Sequence, residues 1–277
     1  MKGGDMMPAR KIWDVAIIGA GPGGSNAAAA ALQDGLSVVQ IERFKFPRQK
    51  PCAGGITNKG LRSLQCNVVP VIRSNWSVFE YNLWGDRGSM FTFGSTVLSM
   101  VVRPEFDNHL VRENLCRNNF TFFDGERVSR EGIHYDGLFQ IVTPKRTVLA
   151  RQLIGADGAN GVVNRLFRIT HIQKYAYAAE VNLTRDVAHS EKPLNPCMDL
   201  FAVPRGYGWV FPKNDQWSVG LYTFARGINL KQELLSYLHA KGFSVTGDPL
   251  ATFEAHAIPV GGWRVAIPPV PVYVVGD

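Results

Sequence analysis

The 277-residue chain has only four cysteines, Cys52, Cys66, Cys116 and Cys197, and they are widely scattered. No two stand as C-x-x-C and none has the spacing of a zinc site, so no metal is expected. The pattern excludes a disulfide scaffold and fits a reduced, cytoplasmic compartment. Long apolar runs are also missing. No segment can span a bilayer, so any membrane contact is peripheral. The net charge is +7, yet the basic residues form no run and no nucleic-acid motif accompanies them. The charge permits an anionic partner such as phospholipid or diphosphate, and it fits a merely basic protein equally well. Composition is otherwise ordinary for a globular protein, 45% hydrophobic and 19% charged. Disorder is expected only over about the first ten residues.

What is present is organised around residues 12–43, IWDVAIIGAGPGGSNAAAAALQDGLSVVQIER. An apolar run, Val15 to Ile18, has strand composition. Gly19, Gly21 and Gly24 follow, spaced as G-x-G-x-x-G, and then an Ala-rich helix with Gly35 placed to end it. A second apolar run closes at Glu42. Lysine and arginine precede this stretch as they would in a signal peptide. Asp14, four glycines and a proline interrupt it, however, and the nucleotide motif accounts for each of them.

Each part has a physical task. The first glycine permits a tight turn, the second lets backbone amides approach a pyrophosphate, and the third lets helix pack on strand. The helix N-terminus, with Ser25 in its first turn, carries partial positive charge and unpaired N–H groups. Glu42 stands at the tip of the second strand, where a carboxylate accepts ribose hydroxyls. It favours an unphosphorylated ribose, hence NAD or FAD over NADP. Arg43, beside it, is a second candidate contact.

Further along, FKFPRQKPCAGG reads as a loop in which Cys52 is placed to line a site, and Thr57 can cap a short helix. Residues 76–102 read as antiparallel strands. RPEFDNHLVRENLCRN reads as a helix with Pro104 at its first position and Phe106, Leu110 and Val111 on one face. FTFFDGERVS, HYDGLFQIVT and TVLARQLIGAD read as a β-meander with a hairpin turn at Asp136-Gly137. Residues 171–224 read as aromatic strands. Among them, Tyr207, Trp209 and Phe211 share one face by the strand period of two, which suits a long apolar ligand. A helix over Leu230 to Ala240 follows.

Three segments then align: GAGPGG, GADGAN at residues 155–160, and the terminal VVGD. Together they resemble the flavoprotein superfamily with the para-hydroxybenzoate hydroxylase fold. KPCAGG, RPEFDNHL and GYGWVFPK narrow the resemblance to the geranylgeranyl reductase family, over nearly the whole chain. The resemblance implies FAD over NAD. The implied fold is α/β: a Rossmann-like FAD-binding domain with a β-meander (1–75, 101–170, 256–277), plus a smaller α+β substrate domain with an antiparallel sheet (76–100, 171–255). It implies that Arg103, Val128, Asp157, Gly158, Gly276 and Asp277 lie at the cofactor and that Cys52 lies beside the flavin. It also implies reduction of isolated C=C bonds in an isoprenoid chain on a lipid or chlorophyll-type substrate. No second dinucleotide fingerprint is present, so electrons come from a transient NAD(P)H or from a separate electron-donor protein. An FAD-dependent monooxygenase or halogenase is the alternative activity, although the W-x-W-x-I-P of halogenases is absent. Family members carry Ser where Gly161 stands, and they continue past Gly276-Asp277 with a further turn and helix. The sequence therefore reads as a C-terminally truncated member, either an enzyme or a non-catalytic nucleotide-binding fragment, with residues 270–277 forming a central buried strand.

Overall fold

The computed structural model describes residues 11–85, 88–171, 174–190, 194–261 and 264–276. The first ten residues and Asp277, for which readings were made above, lie outside this set. The chain forms two compact units. One holds the segments up to Phe46, Leu110–His171 and Arg264 onward; the other holds Pro47–His109 and the chain between His171 and Arg264.

The first unit is built on a seven-stranded sheet. Its central strands are mainly apolar, as parallel strands covered on both faces tend to be, with Asp14, Gln40, Glu42, Arg151 and Gln152 as polar interruptions. Ile12–Ile18 lies between Val38–Glu42 and Thr147–Gly155 and is parallel to both. Phe120–Asp124 pairs in parallel outside Val38–Glu42. This corrects the meander reading: that segment belongs to the parallel sheet. The true meander is Ile133–Asp136, Leu138–Val142 and Thr147–Gly155, all antiparallel. It reverses at Gly137, where φ is +71°. The helix Pro22–Gln33 connects the first two strands, and Gly35 follows its end with φ +79°.

Two terminal features also differ from expectation. The helix opens at Arg103, one residue before Pro104, and runs to Leu115. Its apolar face is as read, with Phe106, Leu110 and Val111 all buried. The last strand is Val272–Val274, only three residues, paired in parallel with Thr147–Gly155. Val272 is buried but Tyr273 is 53% exposed, so it is not a buried strand along its length.

The turn after the first strand depends on Gly19. Its φ is +104°, and a Cβ there would stand 2.3 Å from the Ala156 carbonyl oxygen. Gly19→Ala is therefore expected to cost about 1–3 kcal/mol. Gly137→Ala, also at positive φ but with open space around the new Cβ, should cost about 1 kcal/mol or less. Urea unfolding of the two variants checks the difference, and equal losses would show that the close approach to Ala156 is relieved by relaxation.

The second unit is built on another seven-stranded sheet. In order it runs Glu254–Gly261, Lys174–Thr184, Gln216–Thr223, Gly206–Pro212, Cys197–Leu200, Val78–Leu83 and Ser89–Thr92. Neighbours are antiparallel except Cys197–Leu200 with Val78–Leu83, which are parallel. One face carries Val181, Val210, Val219 and Leu221, and the helix Leu230–Ala240 packs there through Leu234, Tyr237 and Leu238. A separate three-stranded sheet joins Gly55–Thr57, Leu98–Val101 and Ile72–Trp76. Thr57 caps the short helix Asn58–Arg62, accepting from the Gly60 N–H at 3.2 Å. Among the described residues, no helix is long and apolar enough to cross a membrane.

Candidate functional site

In the first unit, the expected nucleotide residues converge at the C-terminal ends of the parallel strands. Gly19 makes the turn, and Gly21 precedes the helix Pro22–Gln33 with no side chain capping its N-terminus. The first turn holds no acidic residue. Such an end suits a diphosphate, because the partial positive charge of the helix is unopposed. A Cβ on Gly23 would stand 3.3 Å from Gly276, so the first and last glycine motifs lie against each other. Together these features fit the diphosphate end of a dinucleotide.

Glu42 is buried at the tip of its strand. One oxygen accepts the Ala20 N–H at 2.9 Å and the other accepts the Phe44 N–H at 3.0 Å. Each carboxylate oxygen has a lone pair left for a ribose hydroxyl. Glu42→Ala removes both anchors, and FAD affinity is expected to fall by about 1.5–3 kcal/mol per charge-assisted bond lost. Flavin titration of the variant checks this, and unchanged affinity would show that Glu42 only braces the turn. Gln40, which sequence reasoning missed, is fully buried and donates to the Gly19 carbonyl at 2.9 Å. Arg43 is exposed, its guanidinium lying over the Phe44 ring.

Asp157 accepts the Val162 N–H at 2.6 Å and so closes the GADGAN turn. Burial pushes its carboxyl upward against that hydrogen bond. A Cβ on Gly161 would stand 2.0 Å from Asp157 Oδ1, so a larger residue there must displace that carboxylate. Gly158 has φ +85°. The Val128 side chain is packed in the core. Ser25 is buried at the helix start, and its carbonyl accepts from Asn114 Nδ2 at 2.8 Å.

The second unit holds the other candidates. Arg103 is gripped by Asp107, its Nε and one terminal nitrogen both at 2.9 Å. Arg48 approaches the same carboxylate at 2.8 Å. Burial works against the Arg103 charge, but Asp107 outweighs it and raises the guanidinium above its ordinary range, with Cys52 adding to the effect. Cys52 itself is exposed, and its backbone N–H donates to Glu180 at 2.5 Å. Asp107, Glu180 and the buried Lys213 were not found from sequence. Asp107 and Lys213 stand inside RPEFDNHL and GYGWVFPK, and Asp107 follows Arg103 at the i, i+4 spacing of a helical ion pair, whereas Glu180 carries no spacing signature.

The strand register places Tyr207, Trp209 and Phe211 on the sheet face opposite the helix Leu230–Ala240. Directly paired residues share a face: Tyr207 opposes Tyr222, Trp209 opposes Gly220, and Phe211 opposes Ser218. Tyr207 and Tyr222 stack at 4.9 Å. A Cβ on Gly220 would lie 2.2 Å from the Trp209 ring, so glycine there lets the indole lie flat. The aromatic surface continues from Phe211 to Phe79 at 6.2 Å, to Tyr81 at 4.8 Å and to Phe91 at 5.8 Å.

Comparison with known proteins supplies the family. The FAD binding domain family matches residues 13–223. An uncharacterized protein of Methanosarcina barkeri is 34% identical over 98% of this chain and 69% of its own length. The menaquinone reductase of Mycobacterium tuberculosis is 30% identical, covering 90% of this chain and 66% of the relative. The chloroplastic geranylgeranyl diphosphate reductase of Arabidopsis thaliana is 27% identical over 88% of this chain, which spans 56% of that protein. A crystal structure of a geranylgeranyl bacteriochlorophyll reductase-like protein from Thermoplasma acidophilum superposes with a TM-score of 0.78 at 19% identity, over 96% of this chain and 71% of that one. The chain therefore belongs to the FAD binding domain family of FAD-dependent oxidoreductases, with geranylgeranyl and menaquinone reductases among its relatives.

Proposed function

We propose that this protein reduces isolated carbon–carbon double bonds in a long isoprenoid chain carried by a lipid, quinone or diphosphate. The observation that carries the reading is the aromatic face of the second sheet, which extends from Tyr222 and Tyr207 to Phe91. A run of rings favours a long apolar ligand over a compact polar one. The names of the relatives support it too. Menaquinone and geranylgeranyl diphosphate differ at the head and share an isoprenoid chain. The division into an FAD-binding domain (1–75, 101–170, 256–277) and a substrate domain (76–100, 171–255) belongs to this proposal, as do the site residues named from sequence.

When bound and reduced, FAD supplies a hydride. The protein's residues must do the rest. Glu42 and the glycine turns hold the nucleotide, and the aromatic face orients the chain. An isolated alkene has no carbonyl to stabilise a carbanion, so a proton must reach the second carbon early and from close by. Cys52 is the proposed donor: its S–H bond breaks as the new C–H bond forms. Electrons are replenished by NAD(P)H or by an electron-donor protein.

The test is anaerobic. Dithionite-reduced, FAD-loaded protein is mixed with an unsaturated prenyl diphosphate or with its fully saturated counterpart. The yellow absorbance of oxidised flavin should return only with the unsaturated chain. Recovery with both, or with neither, contradicts the reading.

A further inference from the structure

Glu180 lies mid-strand in Lys174–Thr184 and is only 4% exposed. It is on the aromatic face, since it pairs with Gly220, which in turn pairs with Trp209. A buried carboxylate amid rings is costly unless it is hydrogen-bonded. Here one oxygen accepts the Cys52 N–H at 2.5 Å, and the other accepts the Ser218 hydroxyl at 3.3 Å. Ser218 Oγ in turn accepts the Trp209 indole N–H at 3.2 Å. The chain of contacts runs from the Cys52 backbone to the Trp209 ring through a single carboxylate.

Other groups complete the surroundings. Lys213 is 3% exposed, and its Nζ is 3.3 Å from where a Cβ on Gly54 would stand. A Cβ on Gly55 would be 2.8 Å from the Phe211 ring. Glu254 pairs with Glu180 from the neighbouring strand. Burial pushes the Glu180 carboxyl up while the Cys52 amide, Lys213 and Ser218 pull it back. Burial likewise lowers Lys213, against the pull of Glu180. The loop thus meets this sheet at Gly55 and the Lys213 side chain; the Val101 N–H holds it at the Gly54 carbonyl at 2.8 Å, and Glu180 holds it at the Cys52 amide.

We propose that Glu180 is a positioning residue that fastens the Cys52 loop to the aromatic face, so that thiol and apolar chain are held in one geometry. Its consequence for turnover rests on the proposed reductase activity; the tie itself does not. The experiment is therefore site-resolved amide hydrogen exchange on the 277-residue chain. The Cys52 amide should exchange at least about tenfold more slowly than expected for an exposed loop. Glu180→Met, close in volume but unable to accept the amide, should abolish that protection. Glu180→Gln keeps an acceptor oxygen and should restore most of it. A Cys52 amide unprotected in the wild type, or still protected in Glu180→Met, overturns the proposal; the wild-type result decides it even where Glu180→Met does not fold. Turnover on a prenyl substrate should fall by up to ~100-fold in Glu180→Met, in kcat more than KM and with flavin content unchanged, and recover in Glu180→Gln. Protection behaving as stated while the wild type reduces no prenyl chain would sink the reductase reading and leave the tie standing.

Discussion

Asp107→Ala is expected to destabilise the protein by about 3–5 kcal/mol. Asp107 is fully buried and is the shared carboxylate of two arginines whose side chains are 8% and 11% exposed. Removing it takes away the carboxylate that the Arg48 and Arg103 guanidiniums share in a buried site. Arg103 cannot shed its proton in response, because a guanidinium stays charged at any pH the fold survives. The two guanidiniums must then rearrange to recover the lost hydrogen bonds, and the start of the helix Arg103–Leu115 goes with them. Glu105→Ala supplies the contrast. Glu105 pairs with Arg73, but both are about a third or more exposed, and such pairs contribute about 0–1 kcal/mol. Urea unfolding of both variants checks the difference. A loss below about 1 kcal/mol for Asp107→Ala would show that the two arginines find water or another partner at little cost.

On the proposed reaction, Cys52→Ser should lower alkene reduction by about 100-fold or more while leaving flavin content near wild type. A serine hydroxyl is close in size to a thiol but a far weaker acid, so geometry is kept and proton supply is lost. The surroundings give the thiol a defined place. Its loop is held through the Cys52 N–H on Glu180, and Arg103 lies beside it in the same unit. Single-turnover reoxidation of reduced flavin by an unsaturated chain separates this step from flavin binding. Rates equal to wild type would make Cys52 a packing residue and assign the proton to water or another group.

Much of this arrangement was legible in the chain itself. The Gly19 turn, the Ala-rich helix, Gly35 after its end and Glu42 at the strand tip are local features, each forced by backbone geometry within a few residues. The shared face of Tyr207, Trp209 and Phe211 follows from the strand period alone. Pairing was harder to read. Phe120–Asp124 looks like any meander strand, because nothing within it records that its neighbour is Val38–Glu42. Glu254–Gly261 went unread because Pro259 and Gly261 suggest a loop, yet an edge strand tolerates a proline. Glu180 was invisible for a related reason. A lone acid in an amphipathic stretch reads as surface until the register and the opposing cations are known. Asp107, by contrast, at i, i+4 from Arg103 within RPEFDNHL, was legible and went unnamed.

The most direct measurement is the mass of the product formed from a geranylgeranyl substrate by the FAD-loaded protein, with reductant and in air as well as without it. The account predicts that the product gains two hydrogens for each bond reduced, and that oxygen is not needed. A product that gains an oxygen atom, and only in air, would contradict it and make the protein a monooxygenase on the same fold.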